Sequence, residues 1–169
     1  MAIHYAPQVS PVSIDTHYTP SALAARLIAL VPLSRADTVL DPAAGKNQVF
    51  LRQFGVARKL SCEVAGGVDF LTTPLAYDWA ITNPPYHLLW QFIEKAATEA
   101  TKGFAFLVNI NGFNSLTPRR LRVLRQRKFT LQHLHVCQVK RWFGRYYFVV
   151  FTKETNGPCA VTWDDAPWE

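Results

Sequence analysis

Cysteine is scarce in this chain and its three copies, Cys62, Cys137 and Cys159, lie far apart. There is no Cys-x-x-Cys pair and no disulfide framework, which excludes a stapled secreted module and points to a reducing compartment. Charge is also sparse, at 18% of residues against 49% hydrophobic. That balance excludes a disordered chain. No apolar run is long enough to cross a bilayer, and no basic-then-apolar leader follows Met1. Repeats, low-complexity tracts and linkers are missing too. A single domain spanning 1–169, cytoplasmic and without a membrane partner, is the expectation. Acidic residues are the last shortage. Twelve Asp and Glu face 18 Lys and Arg, for a net charge of +6 and a pI near 9.4. Such a balance favours a polyanionic partner.

What is present alternates between helix and strand patterns. Residues 1–16, with Pro7 and Pro11 and no periodicity, read as an extended arm. Thr19 then suits an N-cap and Pro20 a first helical residue, with Leu23, Leu27 and Leu30 on one face of the helix that follows. Thr38–Leu40 reads as a short strand running into Asp41-Pro42-Ala43-Ala44-Gly45-Lys46-Asn47, a turn that opens a helix over 48–54. Turns of this kind form the ligand crevice of open parallel sheets. Lys46 lacks the preceding glycine spacing and the following Ser/Thr of a P-loop. Lys59–Glu63 reads as the second strand, its terminal carboxylate able to accept from ribose hydroxyls. Only five residues separate Glu63 from Asp69-Phe70-Leu71, too few for a helix between them.

The most informative stretch is Asn83-Pro84-Pro85-Tyr86, directly after the apolar run Tyr77–Thr82. The run reads as a buried strand, and Asn-Pro stops it abruptly. Both prolines lack an N–H, so the turn offers acceptors and almost no donors. The Asn83 side-chain oxygen and the Pro84 carbonyl suit one –NH2 group, with the Tyr86 ring as a stacking surface beside it.

Asn83-Pro84-Pro85-Tyr86 resembles the catalytic motif of the S-adenosylmethionine-dependent amino-methyltransferases, which act on adenine-N6, cytosine-N4 or glutamine-N5. The resemblance implies a Rossmann-like α/β fold: a mostly parallel twisted sheet with helices on both faces and a C-terminal antiparallel hairpin. It assigns catalysis to Asn83, Pro84, Pro85 and Tyr86. S-Adenosylmethionine is the implied cofactor, held by Tyr18, Thr19, Pro20, Asp41, Pro42, Ala43, Gly45, Asn47, Glu63, Asp69, Phe70 and Asn83. His17-Tyr18-Thr19-Pro20 resembles a segment that contacts the cofactor's methionine carboxylate. The turn departs from the family's Asp-Pro-x-x-Gly-x-Gly at Asn47, which is expected to take the positive φ of the missing glycine. The order of the matches, over residues 17–152, resembles compact, phage-type DNA adenine-N6 methyltransferases.

After Tyr86, a helix is expected over 88–100, ended by Gly103, then a strand over 104–110 and a loop over 111–117. Pro118 opens a basic helix in which Arg119, Arg120, Arg122 and Arg125 are candidate phosphate contacts. Two closing strands, 131–139 and 146–152, flank a tip whose Lys140, Arg141, Phe143 and Arg145 mix cations with an aromatic. Phe143, and after it Trp142, is the candidate to stack on an extruded base. His133, His135 and Cys137 alternate on one strand face, and half-burial explains the pattern without a metal. No separate target-recognition domain is expected, so specificity is relaxed or supplied by a partner or a second copy. Double-stranded DNA in a bacterial or phage-infected cell is the expected substrate setting. An RNA adenine or protein glutamine substrate, or a binding module that has lost catalysis, remain the competing readings.

Overall fold

The computed structural model describes residues 19–169; the expected arm over 1–16, and Tyr18, lie outside the described residues. Seven strands form one sheet: β1 (Thr38–Asp41), β2 (Arg58–Ser61), β3 (Trp79–Thr82), β4 (Gly103–Asn109), β5 (Phe129–Cys137), β6 (Tyr146–Lys153) and β7 (Ala160–Trp163). Their order is β2-β1-β3-β4-β6-β5-β7. The first four run parallel, β6 enters antiparallel between β4 and β5, and β7 lies parallel to β5.

Strand alternation builds two cores. Val39, Trp79, Ile81, Leu107 and Phe148 face α1 (Ser21–Ile28) and α2 (Val49–Gln53) through Leu23, Leu27 and Phe50. Leu40, Ala80, Phe104, Phe106 and Phe151 face α3 (Leu89–Glu99) and α5 (Pro118–Gln126) through Phe92, Ile93 and Leu124. A strand buried on both faces must be apolar throughout, which is why β1, β3 and β4 read as continuous runs. At the opposite edge from the site, Asp78 accepts from the Thr38 N–H at 2.9 Å and Asp37 pairs with Lys102 at 2.6 Å. The α/β sheet with its antiparallel hairpin and two helical faces is therefore as expected. Among the described residues no helix is long and apolar enough to cross a membrane.

Several local expectations are corrected. Helix α1 begins at Ser21 with Pro20 at its N-cap, so Thr19 lies one residue before the cap; its hydroxyl makes no cap bond and accepts from Asn83 Nδ2. Residues 110–114 form α4 (Ile110–Asn114), where a loop was expected; the Asn109 side chain caps it by accepting from Gly112 N–H at 2.8 Å. The sheet does not end at the hairpin. β7 docks on β5, and the Thr162 hydroxyl meets His133 Nε2 at 2.7 Å and His135 Nδ1 at 2.8 Å. Both histidines thus share one hydroxyl partner, and no group of three or more His, Cys, Asp or Glu placed to hold a metal occurs among the described residues. Between β2 and β3 there is no α-helix, only a 3-10 turn over Val64–Gly66, as the short spacing implied.

Gly103 does not end α3, which stops at Glu99 with Ala100 as its C-cap; Gly103 opens β4, where a side chain cannot fit. A Cβ would lie 2.7 Å from Trp79 Cη2 and 2.5 Å from the Phe151 carbonyl oxygen. The backbone oxygen cannot move aside without breaking the β4–β6 ladder. Gly103→Ala is expected to cost about 3 kcal/mol, lowering the thermal midpoint by roughly 6–12 °C in a calorimetric scan.

Candidate active site

Strand order reverses at β1, with β2 on one side and β3 on the other. Connections leave the carboxyl ends of β1 and β3 in opposite directions, which opens a crevice there. A cleft of about 310 Å³ occupies it, walled by Thr19, the turn after β1, Glu63, Asp69–Phe70 and Asn83–Tyr86.

One half of the cleft is built on Asp41. Its carboxylate is buried, accepting from the Thr82 hydroxyl at 2.7 Å and from the Ala43 N–H at 3.3 Å. This fixes the Pro42–Gly45 turn to the end of β3. Gly45 takes φ +60°, as a tight turn requires. Asn47 lines the cleft but does not take the left-handed conformation; Gln48 does, at φ +49°, because α2 starts one residue later at Val49. Glu63 is not a strand-end residue. Strand β2 stops at Ser61, and Glu63 Oε1 accepts from Ala65 N–H at 3.2 Å, capping the 3-10 turn while still facing the cleft. Asp69 Oδ1 accepts from Leu71 N–H at 2.9 Å, and buried Phe70 packs on Phe92 with ring centroids 5.1 Å apart.

The other half is Asn83-Pro84-Pro85-Tyr86, all four in the cleft wall. Asn83 Nδ2 donates to Thr19 Oγ1 at 3.3 Å, and the Tyr86 hydroxyl donates to Asn83 Oδ1 at 2.8 Å. Pro85 precedes a 3-10 turn, Tyr86–Leu88, which leads into α3. Of the expected cofactor residues, Thr19, Asp41, Pro42, Ala43, Gly45, Asn47, Glu63, Asp69, Phe70 and Asn83 all meet at this cleft. Pro20 does not, and Tyr18 lies outside the described residues. Sequence reasoning missed Ala44, Val49, Phe50, Val64, Leu88 and Phe92 in the wall. Val64, 71% exposed, is an apolar surface directly after the acid. Its signal was that position, obscured by the absent helix.

The basic segments divide. Arg120 is not a free contact: its guanidinium lies 4.6 Å from the Trp90 ring and donates to the Ser115 carbonyl at 2.9 Å. Arg127 donates to the Glu94 carbonyl and the Thr98 hydroxyl, both at 2.9 Å. Arg119, Arg122 and Arg125 are exposed on α5. At the β5–β6 tip, Phe143 is 98% exposed between exposed Arg141 and Arg145, while Lys140 pairs with Glu169. Trp142 is corrected as a stacking candidate, being buried against Tyr146 at 4.6 Å. The tip lies on the cleft's side of the sheet, because Tyr146 pairs with Asn109 at the carboxyl end of β4.

Burial pushes the Asp41 carboxyl up to about 7, against the pull of its bonds from Thr82 and Ala43. A raised acid favours the folded state most below its unfolded value near 4, where both states hold the proton. As pH rises from about 4 to 7 the unfolded chain ionises first, so stability falls; above 7 the loss is complete. Asp41→Asn keeps the acceptor and removes the titration. Its thermal midpoint relative to the unaltered chain is expected to rise steadily across that interval and then level off.

No protein-family model and no curated protein matches the sequence. Solved structures do match in shape. A Listeria monocytogenes protein proposed to be a class I S-adenosylmethionine-dependent methyltransferase superposes with TM-score 0.62 at 14% identity, over 86% of this chain and 64% of its own. A proposed RNA methyltransferase from Pyrococcus horikoshii gives 0.57 at 17%, over 82% and 81%. The modification subunit of a proposed type I restriction enzyme from Vibrio vulnificus gives 0.60 at 16%, over 90% and 50%. This chain thus spans less than two thirds of the Listeria protein and half of the Vibrio one. Together with the strand order and the carboxyl-edge cleft, these likenesses establish that the chain has the Rossmann-like fold of the S-adenosylmethionine-dependent methyltransferases.

Proposed function

We propose that this chain transfers a methyl group from S-adenosylmethionine to the exocyclic N6 amino group of adenine in DNA. The observation that carries the reading is that two half-sites open into one cleft: the Asp41–Asn47 turn with Asp69–Phe70, and Asn83–Tyr86. At about 310 Å³ the cleft lies in the range of small-molecule sites. Val64, Phe70 and Phe92 give it apolar walls for a flat heterocycle, and Glu63 and Asp69 bring carboxylates to its rim. Those residues, with Thr19, Pro42, Ala43, Gly45 and Asn47, would hold the cofactor. Bound there, it supplies an electrophilic methyl group on a sulfonium.

The chain's own part is positioning. Asn83 Oδ1 and the Pro84 carbonyl accept the two amine hydrogens and aim the nitrogen, while Pro85 stiffens the turn and the Tyr86 ring stacks on the base. An amine that has become cationic sheds its proton readily to water, so no strong base is required. Asp41 does not serve as one, being committed to Thr82 and Ala43 beneath the turn. A base must leave its stack to reach such a pocket. Arg119 and Arg122, with Arg141, Phe143 and Arg145, form the proposed nucleic-acid surface, with Arg125 and Lys140 towards its margins. Target choice is then weak or supplied by a partner or second copy.

RNA adenine and protein glutamine present the same amine; the exposed arginines favour nucleic acid over peptide. Labelled methyl transfer to duplex DNA, single-stranded DNA, RNA and a glutamine peptide, with the modified nucleoside identified, separates these. N6-methyladenine in DNA is the expected product; label only in RNA or peptide would replace the substrate assignment, and no label on any would favour a binding module. Asn83→Ala is expected to abolish transfer with cofactor affinity changed less than about threefold, read by calorimetric titration. The Arg119→Ala/Arg122→Ala pair is expected to reduce the slope of log affinity against log salt by up to about 2 on duplex DNA. Arg127→Ala, which breaks the contact to α3, should lower the thermal midpoint and leave that slope unchanged.

A further inference from the structure

Asn83 is gripped from both sides. Its Nδ2 donates to Thr19 Oγ1 at 3.3 Å, and its Oδ1 accepts from the Tyr86 hydroxyl at 2.8 Å. Each grip is anchored independently. Thr19 is 6% exposed and stands two residues before α1, whose Leu23 and Leu27 are fully buried in the core under β1 and β3. Tyr86 packs on the same core and lies 6.3 Å from the buried Tyr146 of β6, which in turn lies 4.6 Å from buried Trp142. The amide is therefore held between the first described helix and an aromatic wall from the last antiparallel pair.

We infer that Thr19 and Tyr86 are positioning residues that clamp the Asn83 amide plane, so that its oxygen meets the target amine already aimed. The inference rests on the amine-methylation reading above. Both hydroxyls can donate or accept, so together they fix the plane of the amide from two sides. A carbonyl oxygen has a second lone pair, so Oδ1 can take a hydrogen from the target while Tyr86 still donates to it. The Tyr86 side chain thus has two separable duties: the ring stacks on the base, and the hydroxyl orients the residue that holds the amine. An asparagine held less firmly would lose part of the alignment that sets the rate, without loss of substrate affinity.

Tyr86→Phe separates the duties, since it keeps the ring and removes only the hydroxyl. The expected result is a kcat about tenfold lower, the scale of one neutral hydrogen bond, with KM for DNA and cofactor Kd within about twofold. Thr19→Val should lose a similar factor in kcat, and Thr19→Ser, which restores the hydroxyl, should recover most of that loss. Because both act through one amide, the double variant should lose less than the product of the single losses. A Tyr86→Phe rate at or above that of the unaltered chain would overturn the clamp, since the hydroxyl would then be covering the acceptor. A loss carried wholly by KM would overturn it as well. A second readout does not need turnover. The Asn83 side-chain amide, assigned by its disappearance in Asn83→Ala, should relax in 15N NMR as a rigid group and become mobile in Tyr86→Phe and Thr19→Val; an amide equally rigid in all three sinks the clamp. If the unaltered chain methylates none of the four substrates, the proposed function falls, and the relaxation result alone decides the inference.

Discussion

A single buried hydrogen bond, Thr82 hydroxyl to Asp41 carboxylate, ties the carboxyl ends of β1 and β3 together where their connections part. Both halves of the cleft hang from it. The turn after β1 is pinned through Asp41 to Ala43, and Asn83 begins one residue beyond Thr82. A carboxylate in such a place is costly, and burial shifts it towards the neutral form. The turn has backbone anchors beside it: the Ala44 N–H donates to the Cys62 carbonyl at 3.0 Å, and the Cys62 N–H to the Asp41 carbonyl at 2.9 Å.

The same economy of polar groups sorts the arginines. Helix α5 starts near the carboxyl edge, after α4, and ends where β5 begins opposite Lys153 at the other edge. Cations near that far end are taken up by the fold: Arg127 by α3 and Lys128 by Glu154. Arg120 is spent on Trp90 and Ser115. What remains exposed near the cleft is a smaller set than the count of basic residues suggests, together with the arginines around Phe143. Net charge argues for a polyanion; only neighbours tell which cations are available to meet it.

Most of the site was legible because it consists of short contiguous motifs. Prolines cannot donate, Asn before proline stops a strand, and an Asp-Pro turn at a strand end opens a crevice; these consequences are local. The errors arose where distant residues intervened. Thr19 has the chemistry of a cap but is held by Asn83, 64 positions away. Gly103 has the look of a helix stop, yet it is glycine because Trp79 and Phe151 crowd it. Val161, Thr162 and Trp163 suit a strand, but four residues after the hairpin do not say where they dock; in the fold they lie along β5, with Thr162 against His133 and His135. Trp142 and Phe143 are adjacent and chemically alike, and only packing shows that one is buried and the other exposed.

By itself the sequence determined the α/β alternation, the two half-sites and their order along the chain. Periodicity, proline and glycine act over a few residues, and those rules are read without knowing the fold. Tertiary structure alone decided that the half-sites share one cleft and that Asn83 is braced between Thr19 and Tyr86. It also decided which arginines are already spoken for. Such outcomes depend on which residues a parallel sheet brings side by side, and sequence separation carries no measure of that distance.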